Sequence, residues 1–451
     1  MKVVRDSIFM AISNLVMVVI GIIQYPILLR LYGFPPETFG IFQYLISAVN
    51  TLSALSYLSF DLAFVAERQE HTQKQKEQFF SWYMIFSNSI GLGALFFLAL
   101  GQNNSFKFIA LGFCILISQS LYNGFYTLAR DTKRFNIIAI TGSLISISKM
   151  LLVIPIGYFV RNEIALVASF TAANILGSLF LFKAINILPA MPDKGFLSKF
   201  VSKNKQFVVF QTASRILANL SYNLPVFLIG WLFNDLLLGL YSLAYRTLLT
   251  ANRIFSLVIS QTFLPYMSKS VKDEKLILSK FHYFAIILFP IYFMIGIMSD
   301  YYVPILFGEQ NLEVAVIIKM LVPWLFAVAV CSPVTSSYLV HKRNREYFII
   351  NGLFLAFRAL ALLAFNSSGY KVSLILFSIV SVIFLMLFLI RSYKFAGVKS
   401  TGTVALILSF EIVLFISFLC DKLILLGYIA MLISAVIAIR IGVIALRQKI
   451  L

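Results

Sequence analysis

Two stretches decide the fold. Tyr25-Pro26-Ile27-Leu28-Leu29 is followed by Phe39-Gly40-Ile41-Phe42, and Leu224-Pro225-Val226-Phe227-Leu228 is followed by Leu238-Gly239-Leu240-Tyr241. In each copy a proline interrupts an apolar run and a glycine stands fourteen residues beyond it. The offset between copies is 199 at both landmarks. Recurrence of a paired element at constant spacing marks a chain built from two similar halves. A second echo sets Arg134, Gly142 and Lys149 against Arg345, Gly352 and Arg358, with an offset that drifts over 209 to 211.

Composition says what medium these halves fold in. Of 451 residues, 60% are hydrophobic, 15% aromatic and only 12% charged, with mean hydropathy +0.92. A water-soluble domain carries roughly twice that share of charge. Cys114, Cys331 and Cys420 each sit in an apolar run, which leaves no disulfide framework and no metal-ligand spacing. Apolar windows fall near 8–30, 40–64, 79–100, 106–129, 136–160, 164–186, 206–232, 236–263, 281–299, 314–340, 346–365, 371–390, 402–420 and 423–446. The expectation is an all-α polytopic membrane protein of about 14 transmembrane helices, because lipid admits only helices or closed barrels, and barrel strands alternate polar with apolar. The run from Ser7 to Leu31 exceeds a signal-peptide core and reads as a retained first helix.

The repeat divides the windows into two pseudo-symmetric six-helix lobes around a central cavity, plus two trailing helices. Residues 1–186 form the N-lobe, 187–205 a cytoplasmic linker, 206–390 the C-lobe and 391–451 the trailing pair. Parallel repeats of this kind suit alternating access about a midplane site. Pro26, Pro155, Pro225, Pro290, Pro323 and Pro333 lie within windows, where each serves either as a hinge or as a static kink. In the linker, Phe196, Leu197, Phe200 and Val201 alternate with Lys194, Lys199, Lys203 and Lys205. That pattern reads as a short amphipathic helix on anionic lipid or as a plain basic linker.

Orientation follows from the basic residues. The net charge of +19 comes from 37 Lys and Arg against 18 Asp and Glu. With both termini cytoplasmic, 26 of the 37 fall in inner loops and tails. Outer loops hold Arg30, Lys107, Arg161, Lys371 and Lys422. This is the positive-inside asymmetry of a multi-pass protein rather than a nucleic-acid surface.

Six basic residues remain inside windows: Lys149, Arg215, Arg246, Arg253, Lys319 and Arg358, against Asp61 and Glu411. Each mid-membrane charge costs at least about 2.5–3.5 kcal/mol. Two carboxylates cannot neutralise six cations, so the rest either snorkel to an interface or line a wet cavity whose counter-charge is the ligand. Lys319, about five residues from the outer edge of its window, is placed to snorkel. Arg215 is ambiguous by depth, while Lys149, Arg246, Arg253 and Arg358 lie deeper and point to a cavity. Arg246, Thr250, Arg253 and Gln261 share one helical face, as do Arg215, Asn219 and Tyr222, and also Gln43, Ser47, Asn50, Tyr57 and Asp61. Such stripes either glue helices together or border a hydrated passage. Arginine suits a phosphate-bearing ligand because its planar fork makes paired, charge-assisted bonds.

These residues resemble a known family. LYGFPPETFGIFQYLISAVNTLSALSYLSFDLAF (31–64) is similar to the opening signature of Wzx-type bacterial polysaccharide flippases, within the multidrug/oligosaccharidyl-lipid/polysaccharide exporter superfamily. NLPVFLIGWLFNDLLLGLYSLAYR (223–246), QTFLPYMSK (261–269), PILFGEQ (304–310) and LVPWLFAVAV (321–330) resemble later signatures. The resemblance implies translocation of an undecaprenyl-pyrophosphate-linked oligosaccharide from inner to outer leaflet, for O-antigen, capsule or exopolysaccharide, with a glycan polymerase as possible partner. There is no GxxxxGK[ST] phosphate loop and no cofactor motif, so the resemblance implies antiport with H+ or Na+. Asp61 and Glu411 are its candidate relays, although Asp61 also suits a helix end. Related lipid II flippases use a basic residue in the first span, where this chain has Ser13 and Asn14. The alternatives are a lipid II flippase, a drug or metabolite antiporter, whose cavity would be richer in carboxylates, and a membrane glycan polymerase or ligase. An enzyme of that last kind needs acids, bases or metal-binding loops. The three histidines, His71, His282 and His341, all fall at cytoplasmic ends.

Overall fold

The computed structural model describes residues 2–56, 58–61, 64, 72–99, 105–132, 134–205, 207–249, 252, 275, 278–279, 281–331, 334–335, 337–341, 343–364, 368–419 and 423–450. Within them the chain is helical throughout. In order, the helices are α1 (Lys2–Pro26), α2 (Pro36–Ser56), α3 (Gln73–Ala99), α4 (Ser105–Asp131), α5 (Phe135–Phe159), α6 (Glu163–Ile185), α7 (Lys194–Lys203) and α8 (Thr212–Leu232). After α9 (235–249) come α10 (His282–Ile297), α11 (Ser299–Phe307), α12 (Glu313–Cys331), α13 (Ser337–Val340), α14 (Asn344–Ala364), α15 (Tyr370–Ala396), α16 (Thr401–Leu419) and α17 (Ile424–Ile450).

Every apolar window except 236–263 carries a described helix over most of its length. Among the described residues, seven helices are long and apolar enough to cross a membrane by themselves. The pair α10 and α11, bent by 55° at Met298, makes an eighth. The protein is therefore multi-pass. Helix α8 falls short of that apolarity because Arg215, Asn219 and Asn223 interrupt it. Ends are set by local chemistry. Asn162 accepts a hydrogen bond from the Ile164 amide at the start of α6 (2.9 Å), and Asp193 does the same for Gly195 at the start of α7 (2.8 Å). Gly397 ends α15 in the left-handed conformation, at φ +65°.

Packing divides the chain into two compact units, Met1–Ser242 and Leu243–Leu451. In the first, α5 packs on α1 and α6, α4 on α3 and α6, and α2 on α8. In the second, α12 is the axis: 89% of it is buried, and α10, α15 and α16 pack around it. Lipid is as apolar as leucine, so helix association here rests on close packing and interhelical hydrogen bonds rather than on escape from water.

The two repeat prolines differ in setting: Pro26 ends α1 and is followed by a π-helical turn, Ile27–Leu31, whereas Pro225 is internal to α8, whose π turn, Phe207–Gln211, comes before the helix. The two repeat glycines meet each other. A Cβ on Gly40 would stand 2.8 Å from the Gly239 nitrogen, and one on Gly239 would overlap the Pro36 carbonyl. Only glycine allows α2 and α9 to approach this closely.

The linker is helical and amphipathic, as its pattern suggests, but protein occupies its apolar face. Phe200 is buried with Phe60, Phe64 and Phe79, while Phe196, Leu197 and Val201 pack around that cluster. The segment before it is strapped to α3. Gln78 donates to Met191 O (2.6 Å) and accepts from the Asp193 amide (2.6 Å), Ser81 donates to Ala190 O (2.7 Å), and Trp82 donates to Asp193 O (3.0 Å). Lys194, Lys199, Lys203 and Lys205 stay exposed on the other face.

Candidate functional site

In the first unit the polar stripes of α2 and α8 form one seam, with α4 adding to it. Gln119 donates to Asn50 Oδ1 at 2.8 Å, and Asn219 donates to the Asn50 carbonyl at 3.4 Å. Asn223 donates back to Asn219 O at 2.8 Å, and Gln43 to Ser47 Oγ at 3.1 Å. At the end of the seam the Arg215 guanidinium bonds to Asp61 Oδ1 at 2.7 Å, across 154 residues of sequence. Their side chains are 28% and 16% exposed, so the pair is partly open to its surroundings. Two residues read separately, one as a substrate contact and one as an ion relay, are thus each other's counter-ion.

Lys149 on α5 is half-buried, with Nζ 5.8 Å from the ring centres of both Phe42 and Phe170. Those rings meet edge to face, 6.1 Å apart, and offer the ammonium two π faces. Ser13 in α1 is buried and donates to Ala139 O at 2.6 Å.

The second unit holds the rest. Arg246 is half-buried on α9. Arg253, Thr250 and Gln261, like Tyr57, lie outside the described residues. Lys319 reaches Asp300 at 2.6 Å. Arg358 departs from the expectation of a cavity wall. Its side chain is 0% exposed, and its guanidinium carbon lies 3.9 Å from the ring centre of Phe354, 4.6 Å from that of Phe377 and 5.0 Å from that of Trp324. Nε donates to Ser381 Oγ at 2.8 Å. The cause is the company it keeps: α14 presents Arg358 and Phe354 to α12 and α15, and the aromatic faces take the place of water. Glu411, on trailing α16, is 2% exposed, and neither carboxyl oxygen has a hydrogen-bond partner among the described residues.

Comparison with known proteins now gives this arrangement a context. A family model described as "Polysaccharide biosynthesis protein" matches residues 27–316, well over half of the chain. The chain belongs to this polysaccharide biosynthesis family. No curated protein matches it in sequence. Among solved structures, the family member resembles a lipid II flippase, MurJ, in an inward closed conformation, with TM-score 0.70 and 16% identity over 97% of this chain and 100% of that one. It also resembles an inward-facing MATE multidrug resistance transporter of the MOP superfamily, with TM-score 0.63 and 11% identity over 86% and 98% of the two chains. A third likeness is to a MOP superfamily transporter from Pyrococcus furiosus, described as having a binding pocket of reverse polarity (TM-score 0.51, 12% identity, 87% and 95% covered). At these identities the likeness establishes a shared fold, that of flippases and transporters. The expected family and the all-α membrane fold therefore hold.

The ring cage of Arg358 and the Arg215–Asp61 pair were not read in the sequence. Periodicity places each residue on a face of its own helix, yet it carries no record of which face opposes which.

Proposed function

We propose that the protein is a flippase of the bacterial inner membrane, with both termini cytoplasmic. It moves undecaprenyl-pyrophosphate-linked oligosaccharide from the inner to the outer leaflet for O-antigen, capsule or exopolysaccharide assembly, alongside a glycan polymerase. The mechanism is alternating access between the repeat-defined lobes, 1–186 and 206–390, coupled to H+ or Na+. The observation that carries this reading is a partly exposed arginine at membrane depth, held by one carboxylate 2.7 Å away, in a polysaccharide biosynthesis protein with a flippase fold.

A pyrophosphate offers Arg215 a stronger, two-pronged partner than a single carboxylate does. Arrival of the head group displaces Asp61, and the freed carboxylate takes up the coupling cation. Release reverses both steps, so substrate and cation exchange on one arginine. Lys149, Arg246 and Arg253 add positive charge along the passage. Arg358 adds positive potential from behind its aromatic wall rather than by contact. The tail stays in lipid throughout.

The deciding experiment is complementation of a flippase-null strain. Wild-type protein is expected to restore surface glycan. Arg215→Ala, Lys149→Ala, Arg246→Ala and Arg253→Ala are expected to abolish it at normal membrane levels, with lipid-linked oligosaccharide accumulating in the inner leaflet. Wild-type glycan in all four variants would refute the cationic passage. Restoration of peptidoglycan synthesis in a lipid II flippase-null strain, without surface glycan, would favour the lipid II reading.

A further inference from the structure

Glu411 is the most enclosed carboxyl described in the protein, 2% exposed against 8% for Glu163, which Lys107 answers at 2.5 Å. Phe410 stacks on Phe289 with ring centres 4.2 Å apart, Phe326 lies 6.3 Å from Phe410, and Leu414 is fully buried one turn on. An ionised carboxylate enclosed among such groups, with neither donor nor counter-cation, costs several kcal/mol. Its charge has to be met by a bound cation. A metal ion demands about six oxygen ligands, and no group of ligating side chains occurs among the described residues. A proton demands none.

Tyr393 of α15 donates its hydroxyl to Leu278 O at 2.7 Å, and Cys331 at the end of α12 is fully buried. Thr403 and Glu411 stand eight residues apart on one face of α16, about 12 Å along the axis. The Thr403 end adjoins Arg391, Lys394 and Lys399, the basic loop that charge asymmetry puts in the cytoplasm. The other helices that pack on α16 bring no charged group to this level among the described residues: α10 offers Tyr292, and α17 offers Tyr428, which packs on Phe293.

We propose that Glu411 is a proton-binding site in the trailing helices: its carboxylate takes one proton from water to become the neutral acid, and gives the same proton back on release. The trailing pair thereby gains a task that the twelve repeat-related windows do not cover. The site's place in a transport cycle rests on the ion-coupled reading above. Proton binding itself does not.

The test uses full-length wild-type protein in native membranes and dicyclohexylcarbodiimide, an apolar reagent that modifies protonated carboxyls within membranes. Peptide mapping by mass spectrometry is expected to find the adduct on Glu411, and Glu411→Gln to lose it. Wild-type protein with an intact thermal transition and no adduct at Glu411 overturns the proposal. Proton flux in proteoliposomes is expected to be abolished by Glu411→Gln, and flux indifferent to that change overturns a part for this site in transport. If the wild-type protein carries the adduct yet fails to flip lipid-linked oligosaccharide, the failure falls on the proposed function alone.

Discussion

Arg215 and Arg358 carry the same guanidinium into the membrane and meet opposite surroundings. In the first unit Arg215 keeps 28% of its side chain exposed and holds one carboxylate. In the second, Arg358 has no exposure and is enclosed by three rings and a serine. A charge held by one displaceable partner is available to a ligand. One walled in by π faces has spent its interactions on the protein and acts as part of the packing. Residue type and depth alone therefore do not separate a binding group from a structural one; the nature of the enclosing atoms does.

The contrast breaks most readily at Arg358. Arg358→Ala empties a fully packed site and removes three cation–π contacts, and is expected to cost about 3 kcal/mol or more. The readout is a lowered thermal midpoint and reduced membrane levels, and an unchanged midpoint would contradict the structural role. Arg358→Lys, which keeps charge but loses the planar stack, is expected to fall between that variant and wild type. Arg215→Ala is expected to do the reverse, with stability moving by about 1 kcal/mol at most while surface glycan disappears. The exchange Arg215→Asp with Asp61→Arg sharpens the point. It re-forms the pair and should recover any lost stability while glycan stays absent, and full recovery of transport would show the pair to be structural. At the weak end, Lys371 and Glu313 pair at 3.0 Å but are 51% and 37% exposed. Lys371→Ala is expected to change stability by less than about 0.5 kcal/mol and to leave glycan unaltered.

Much of the architecture was legible from the chain itself, because hydrophobic runs of membrane length leave few alternatives to helix. The alternation of phenylalanines and lysines at 194–205 suited either an amphipathic helix or a plain basic linker, and the structure has the helix, Lys194–Lys203. What escaped were relations across helices. The lysine-flanked pattern of the linker suits lipid and protein equally, and only the presence of Phe60, Phe64 and Phe79 opposite Phe200 decides for protein. Asp61 and Arg215 each read as a lone charge because 154 residues separate them. Arg358 carried no sign of Trp324 or Phe377, which come from two other helices. Lys319 likewise carried no sign of Asp300, its partner on another helix.

The glycines at 40 and 239 have one last consequence. Neither α2 nor α9 has room at that crossing for even a methyl group from the other, so the two positions constrain each other. A bulkier residue on either copy would wedge the pair apart, and no compensating loss of atoms is available on its counterpart, which is already the smallest residue. A larger residue at either position therefore has to be met by a shift of a whole helix rather than by a trimmed side chain.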